Sequence, residues 1–175
     1  MDIKKSYFEF IGLPVSYHID LNRLSEQARE LQKTLHPDRY AHLSDQEQRR
    51  AVQYMAHLNE GVATLKSPLR RAQYLLTLQG IDTHNESSTP IDPIFLMQQM
   101  ELREQLEAVS SATDPFAELD ALTAAVESEL QTLRSDFAQQ FEAKQLDQAT
   151  ATVRKMQFIE KLVSEIERLE DRLDD

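Results

Sequence analysis

Residues with chemical potential gather at two places. The first is His36-Pro37-Asp38, with Arg29 and Lys33 spaced four apart before it and Arg39 directly after it. A histidine beside an aspartate is the usual material of acid–base catalysis, but such a pair needs a nucleophile, an oxyanion donor or a phosphate cradle to act upon. The sequence has no cysteine, only three glycines and no glycine-rich phosphate loop, and no serine sits in a convincing elbow. A catalytic centre is therefore not expected. The five histidines, His18, His36, His42, His57 and His84, lack short paired spacing with carboxylates, so neither a metal site nor a cofactor is expected. Two readings of the tripeptide remain. It is a helix-capping turn, or it is a docking surface in which proline fixes the direction of the loop and Asp38 offers a carboxylate that a partner's arginine can grip with two hydrogen bonds.

The second place is Leu96, Met97 and Met100, edged by Glu101, Glu104 and Glu107. At 100° per residue Phe95, Gln99, Leu102, Leu106 and Val109 share one face of a helix, which leaves the Leu and Met residues on the other. Phe158 falls similarly opposite Ala149, Val153, Met156 and Val163 of a stripe that also includes Ile166. From the residues alone, these second faces are either further core of a helical bundle or an exposed patch in which flexible methionines receive a partner and the acids favour a basic one.

The elements that must position these residues are all helical. Glu, Gln, Leu, Ala and Arg dominate, and little material exists for hairpin turns, so the expected class is all-α. Tyr7, Phe8, Phe10 and Ile11 form a short first helix stopped at Gly12-Leu13-Pro14. Asp20 caps a second, with Leu21, Leu24, Ala28, Leu31 and Leu35 on one face, and Pro37 ends it. Ser44 and Glu47 make a capping box for a third, whose stripe is Ala51, Met55, Leu58, Val62 and Leu65. These two helices should pack antiparallel, leaving residues 36–43 at the exposed tip of the hairpin. Ser67-Pro68 begins a fourth helix that Gly80 ends. A polar stretch, Thr83 to Thr89, reads as a linker. Beyond it Asp92-Pro93 and Asp114-Pro115 each start a helix, and a break near Lys144-Gln145 starts one more. The result is a first domain over 1–79, a linker over 80–89 and an antiparallel three-helix bundle over 90–175.

Charge divides along the same line. Residues 1–79 hold 11 Lys and Arg against 9 Asp and Glu, while residues 80–175 hold 8 against 21. That acidity disfavours nucleic acid as a partner. No apolar run has membrane-spanning or signal-peptide length, so a cytoplasmic protein that does not enter membranes is expected.

The surroundings of the tripeptide carry a resemblance. Tyr7-Phe8-Glu9-Phe10-Ile11-Gly12-Leu13 before it, and Leu58-Asn59-Glu60 through Ser67-Pro68-Leu69-Arg70-Arg71-Ala72 after it, stand in the order and spacing of J-domains. The second half, through Phe95-Leu96-Met97-Gln98-Gln99-Met100-Glu101-Leu102-Arg103-Glu104 and Val153-Arg154-Lys155-Met156-Gln157-Phe158, resembles the HscB family of J-proteins that serve bacterial iron–sulfur cluster assembly. This resemblance implies a non-enzymatic co-chaperone, monomeric, with an N-terminal J-domain hairpin and a C-terminal three-helix bundle. It implies that His36, Pro37 and Asp38, with Arg29, Lys33 and Arg39, contact an HscA-type, DnaK-like chaperone and stimulate its ATPase. It further implies that Leu96, Met97, Met100, Glu101, Glu104 and Phe158 bind an IscU-type scaffold protein. A further acidic position of that surface falls on Ala108 here, with Glu107 adjacent but about 100° away around the helix. Glu26 and Glu30 also make the helix before the tripeptide less uniformly basic than in general J-domains. A purely structural helical scaffold is the competing reading, and it leaves the J-domain-like half unexplained.

Overall fold

A computed structural model describes residues 2–84 and 90–175, which form seven α-helices and, among the described residues, no strand. They are α1 (Tyr7–Ile11), α2 (Leu21–Leu35), α3 (Asp45–Lys66), α4 (Pro68–Leu78), α5 (Pro93–Val109), α6 (Pro115–Glu142) and α7 (Leu146–Asp174). Contacts divide the chain into two compact units, Met1–Ile81 and Asp82–Asp175. Of the polar stretch read as a linker, residues 85–89 lie outside the described residues. Thr83 does not behave as free linker: it is buried, and its carbonyl accepts a hydrogen bond from Gln157 Nε2 at 2.9 Å.

The first unit is built on the α2–α3 hairpin. Asp20 caps α2 by accepting from the amides of Asn22 and Arg23, and the Ser44–Glu47 capping box closes the start of α3 in both directions. Leu24, Ala28 and Leu35 of α2 are buried, as are Ala51, Leu58 and Leu65 of α3. The stripe expected on α2 is in phase, but Leu21 in its first turn is 49% exposed. Periodicity sets the phase of a helix face, and the reach of the neighbouring helices decides how much of that face is covered.

Helix α1 crosses α3 where Gly61 leaves room. A Cβ at Gly61 would stand 2.9 Å from Tyr7 Cδ1, closer than packed carbon atoms approach. Gly12, at φ 88°, ends α1 in the left-handed conformation that favours glycine. The Tyr7 amide donates to Tyr74 Oη at 2.9 Å, tying α1 to α4. His57 of α3 lies between the Tyr7 ring at 4.9 Å and the edge-on Phe10 ring at 4.7 Å. Burial there pushes the His57 imidazole pKa down.

The second unit is a bundle of three helices with short connections, residues 110–114 and 143–145, that make neighbours antiparallel. Asp92 and Asp114 cap α5 and α6 ahead of Pro93 and Pro115, as their cap-then-proline pairs predict. Leu119, Leu122, Val126, Leu130, Leu133 and Phe137 of α6 are buried, and Phe137 stacks on Phe141 at 5.6 Å. On α7 the covered face is wider than the stripe expected from periodicity. Thr152, Ile159, Leu162 and Leu169 join Ala149, Val153, Met156 and Ile166, while Val163 sits at the margin. A helix that packs against two neighbours buries more than one narrow stripe, and α7 touches both α5 and α6.

Candidate protein-docking surfaces

At the tip of the first unit, where the sequence predicts only an exposed loop, Pro37–Tyr40 form one turn of 3₁₀ helix. Pro37 holds His36 in an extended conformation, φ −56° and ψ 130°, which ends α2 and caps the new turn at once. His36 Nδ1 accepts from the Asp38 amide at 3.3 Å, so the capping role is real. The Asp38 carboxylate, with Oδ2 3.5 Å from the same His36 nitrogen, still faces outward, with 91% of its side chain exposed. Capping and docking are therefore compatible: the histidine orders the turn and the aspartate projects from it.

The turn is tied down on both sides. Tyr40 donates its hydroxyl proton to the Thr34 carbonyl at 3.2 Å, and Gln48 Nε2 donates to the carbonyls of Ala41 and Leu43 at 3.1 and 3.0 Å. Arg29, Lys33 and Arg39 are exposed. Lys33 pairs with Glu30 at 2.9 Å, a surface pair that contributes little to stability. Among the described residues Arg29 and Arg39 have no ion-pair partner. Asp38 and these cations thus form a polar, solvated and structurally fixed surface suited to charge-assisted recognition.

On α5 of the second unit the two helical faces separate as the angular count predicts. Phe95, Gln99, Leu106 and Val109 are buried, and Leu102 is half-buried. Leu96, Met97 and Met100 are 36%, 62% and 62% exposed, with Glu101 and Glu104 exposed beside them. Ile94, which the sequence reading did not single out, is 67% exposed and extends the apolar patch by a turn. Its spacing of three from Met97 was the available signal. Glu107 and Ala108 are also exposed. Phe158 departs from the exposed position expected for it. It is half-buried, because the Phe95 ring meets it edge to face at 6.4 Å and Lys161 Nζ lies 5.8 Å from its centroid.

The inner face of α5 is held by polar as well as apolar contacts. Lys155 Nζ stands 5.5 Å from the Phe95 centroid and 3.9 Å from Asp92 Oδ2, and Arg103 grips both carboxylate oxygens of Glu165. Burial raises the Glu129 pKa, and the Lys155 charge and the Gln99 amide that faces it oppose that rise. The arrangement presents an apolar strip with a carboxylate rim. It brings no nucleophile or metal-binding cluster together among the described residues.

A Vibrio cholerae protein named Co-chaperone protein HscB homolog is 46% identical over 172 residues, covering 96% of this chain and 98% of that protein. This chain belongs to the HscB co-chaperone family. The solved structure of the chaperone HscB from Vibrio cholerae superposes with a TM-score of 0.88 at 43% identity, covering 97% of this chain and 99% of the other. Human co-chaperone HscB has the same fold, with a TM-score of 0.88 at 24% identity over 97% of this chain and 84% of that chain. Residues 91–167 match the family described as the HSCB C-terminal oligomerisation domain. The HscB architecture is thus that of this chain: an N-terminal J-domain hairpin followed by a C-terminal helical bundle. No helix among the described residues is long and apolar enough to cross a membrane.

Proposed function

We propose that this member of the HscB family is a two-ended adaptor in iron–sulfur cluster assembly. Its tip, His36, Pro37 and Asp38 with Arg29, Lys33 and Arg39, engages an HscA-type, DnaK-like chaperone in the cytoplasm and stimulates its ATPase. The α5 face, Leu96, Met97, Met100, Glu101 and Glu104 with Phe158 at its margin, carries an IscU-type scaffold protein. Hydrolysis belongs to the chaperone, and the chain itself performs none.

The observation that supports the reading most is the Asp38 carboxylate, 91% exposed on a turn fixed from both sides. The cap itself is made by His36 Nδ1 and the Asp38 amide, without the aspartate's carboxylate. On α5, the apolar strip is too exposed to be core, and its rim favours a different, more basic protein over a second copy. Basic side chains on a partner complement Glu101 and Glu104, which a second copy of the same acidic rim does not offer. Holding the scaffold on one end while the other end binds the chaperone raises the scaffold's local concentration at the chaperone without any new contact.

Steady-state ATP hydrolysis by the HscA-type chaperone tests this, with and without the scaffold protein. Synergistic stimulation that is lost in Asp38→Asn is the expected result. No stimulation by the unaltered chain, with both partners folded and active, would leave the structural-scaffold reading in its place.

A further inference from the structure

Below the tip, between the last turn of α2, the 3₁₀ turn and the first half of α3, lies a cavity of about 310 Å³ lined by Thr34, Leu35, Tyr40, Glu47, Arg50 and Tyr54. Leu35 is buried at its base, and Tyr40 and Tyr54 are half-buried walls. Several polar groups of the lining are already committed, among them the Thr34 hydroxyl, which donates to the Glu30 carbonyl at 3.1 Å. The Tyr40 hydroxyl donates to the Thr34 carbonyl, and Glu47 Oε2 accepts from both the amide and the hydroxyl of Ser44.

Arg50 is different. It is exposed, and among the described residues it has no ion-pair partner. Beside the Glu47 carboxylate that Ser44 holds, the cavity therefore combines an apolar base, aromatic walls and, at its rim, a guanidinium in no ion pair among the described residues. Its volume lies at the small end of ligand clefts, which suits one side chain better than a whole ligand. A short apolar stem ending in a carboxylate complements all three features, since guanidinium binds carboxylate with two parallel hydrogen bonds.

We propose that this cavity receives an acidic side chain of the chaperone that docks on the tip, so that the Asp38 contact and the Arg50 contact are made together. The proposal rests on the tip being the chaperone-docking surface. Arg29 and Arg39, also without ion-pair partners among the described residues, fit the same acidic surface on the partner. Asp38 presents a carboxylate outward and Arg50 takes one in. Two contacts of opposite sign at neighbouring points fix the orientation of docking, which a single charge does not.

The experiment is a concentration series of the full chain in the chaperone's steady-state ATPase, comparing the unaltered protein with Arg50→Glu, Arg50→Lys and Arg49→Glu. Arg49 serves as the control because it lines a separate groove with Asp45, Gln48, Val52 and Gln53. Arg50→Glu should raise the half-maximal concentration about tenfold and leave the maximal rate unchanged, because it weakens docking and not the step that follows. Arg50→Lys should fall between, keeping the charge but losing the paired hydrogen bonds, and Arg49→Glu should stay within about twofold. Thermal unfolding checks each variant, and Arg50→Gln replaces Arg50→Glu if the latter fails to fold. An equal shift from Arg49→Glu would reduce the effect to long-range charge and overturn the cavity. No shift from Arg50→Glu, while the unaltered chain stimulates, would also overturn it and leave the adaptor reading standing. If the unaltered chain does not stimulate, the adaptor reading falls and the cavity's assignment falls with it.

Discussion

The tip of the first unit and the outer face of α5 are both exposed and both proposed as docking surfaces, but they are built on opposite principles. The tip is a few polar residues on a short turn whose backbone is held by His36, Tyr40 and Gln48. The α5 face is a strip of apolar side chains on a seventeen-residue helix whose other side is core. On the proposed reading, recognition at the tip rests on a few fixed charges, Asp38 first among them, whereas on α5 it rests on area and no single atom is indispensable.

This contrast can be broken by substitution. Asp38→Asn keeps the size and the backbone amide that His36 caps, so the unfolding midpoint should not move, while stimulation of the chaperone's ATPase should fall by more than about tenfold. A destabilised Asp38→Asn protein would make the aspartate a structural residue and erase the contrast. Next in size is the α5 face. Met97→Ala with Met100→Ala should weaken scaffold binding by roughly tenfold to a hundredfold in calorimetric titration, with stability within about 0.5 kcal/mol, since surface substitutions seldom cost more. A loss as large from either methionine alone would make the face a point contact like the tip.

Smaller still is the effect of the rim. Glu101→Gln with Glu104→Gln should slow association a few-fold and flatten its salt dependence with little change in dissociation, as rim charges do. Stopped-flow binding at two salt concentrations separates these rates. The smallest expected effect concerns the platform beneath the tip. His57 is held neutral by burial, so the unfolded chain binds its proton more readily. Stability from this group is fully present above the ordinary histidine value of about 6.5 and is lost as pH falls through that value towards the lowered one. His57→Gln should flatten the pH dependence of the unfolding midpoint in that window.

The order of helices was legible from the sequence because its signals are local. Asp20, the Ser44–Glu47 pair, Asp92-Pro93 and Asp114-Pro115 each cap the helix they announce, and a cap needs only its own neighbours. The two faces of α5 were legible for the same reason, since angular position follows from spacing. What escaped depended on distant residues. Phe158 is half-covered by Phe95, sixty-three positions earlier in the chain. Leu162 and Ile159 are core because α7 meets two helices, and Leu21 is exposed because its neighbours do not reach it. The 3₁₀ turn at Pro37–Tyr40 was local but invisible, because short 3₁₀ segments have no sequence period of their own.

The unequal lengths of the bundle helices have a kinetic corollary. Helices α6 and α7, of 28 and 29 residues, are joined by residues 143–145 and share a long seam, so they can zip together through near-neighbour contacts. Helix α5, at 17 residues, adds to a hairpin that is already paired. In native-state hydrogen exchange its amides should open earliest of the three and at the lowest free energy. The strip proposed to receive a partner is thus expected on the part of the bundle that breathes most readily, and occupancy of that strip should be visible as slowed exchange along α5 while α6 and α7 stay as they were.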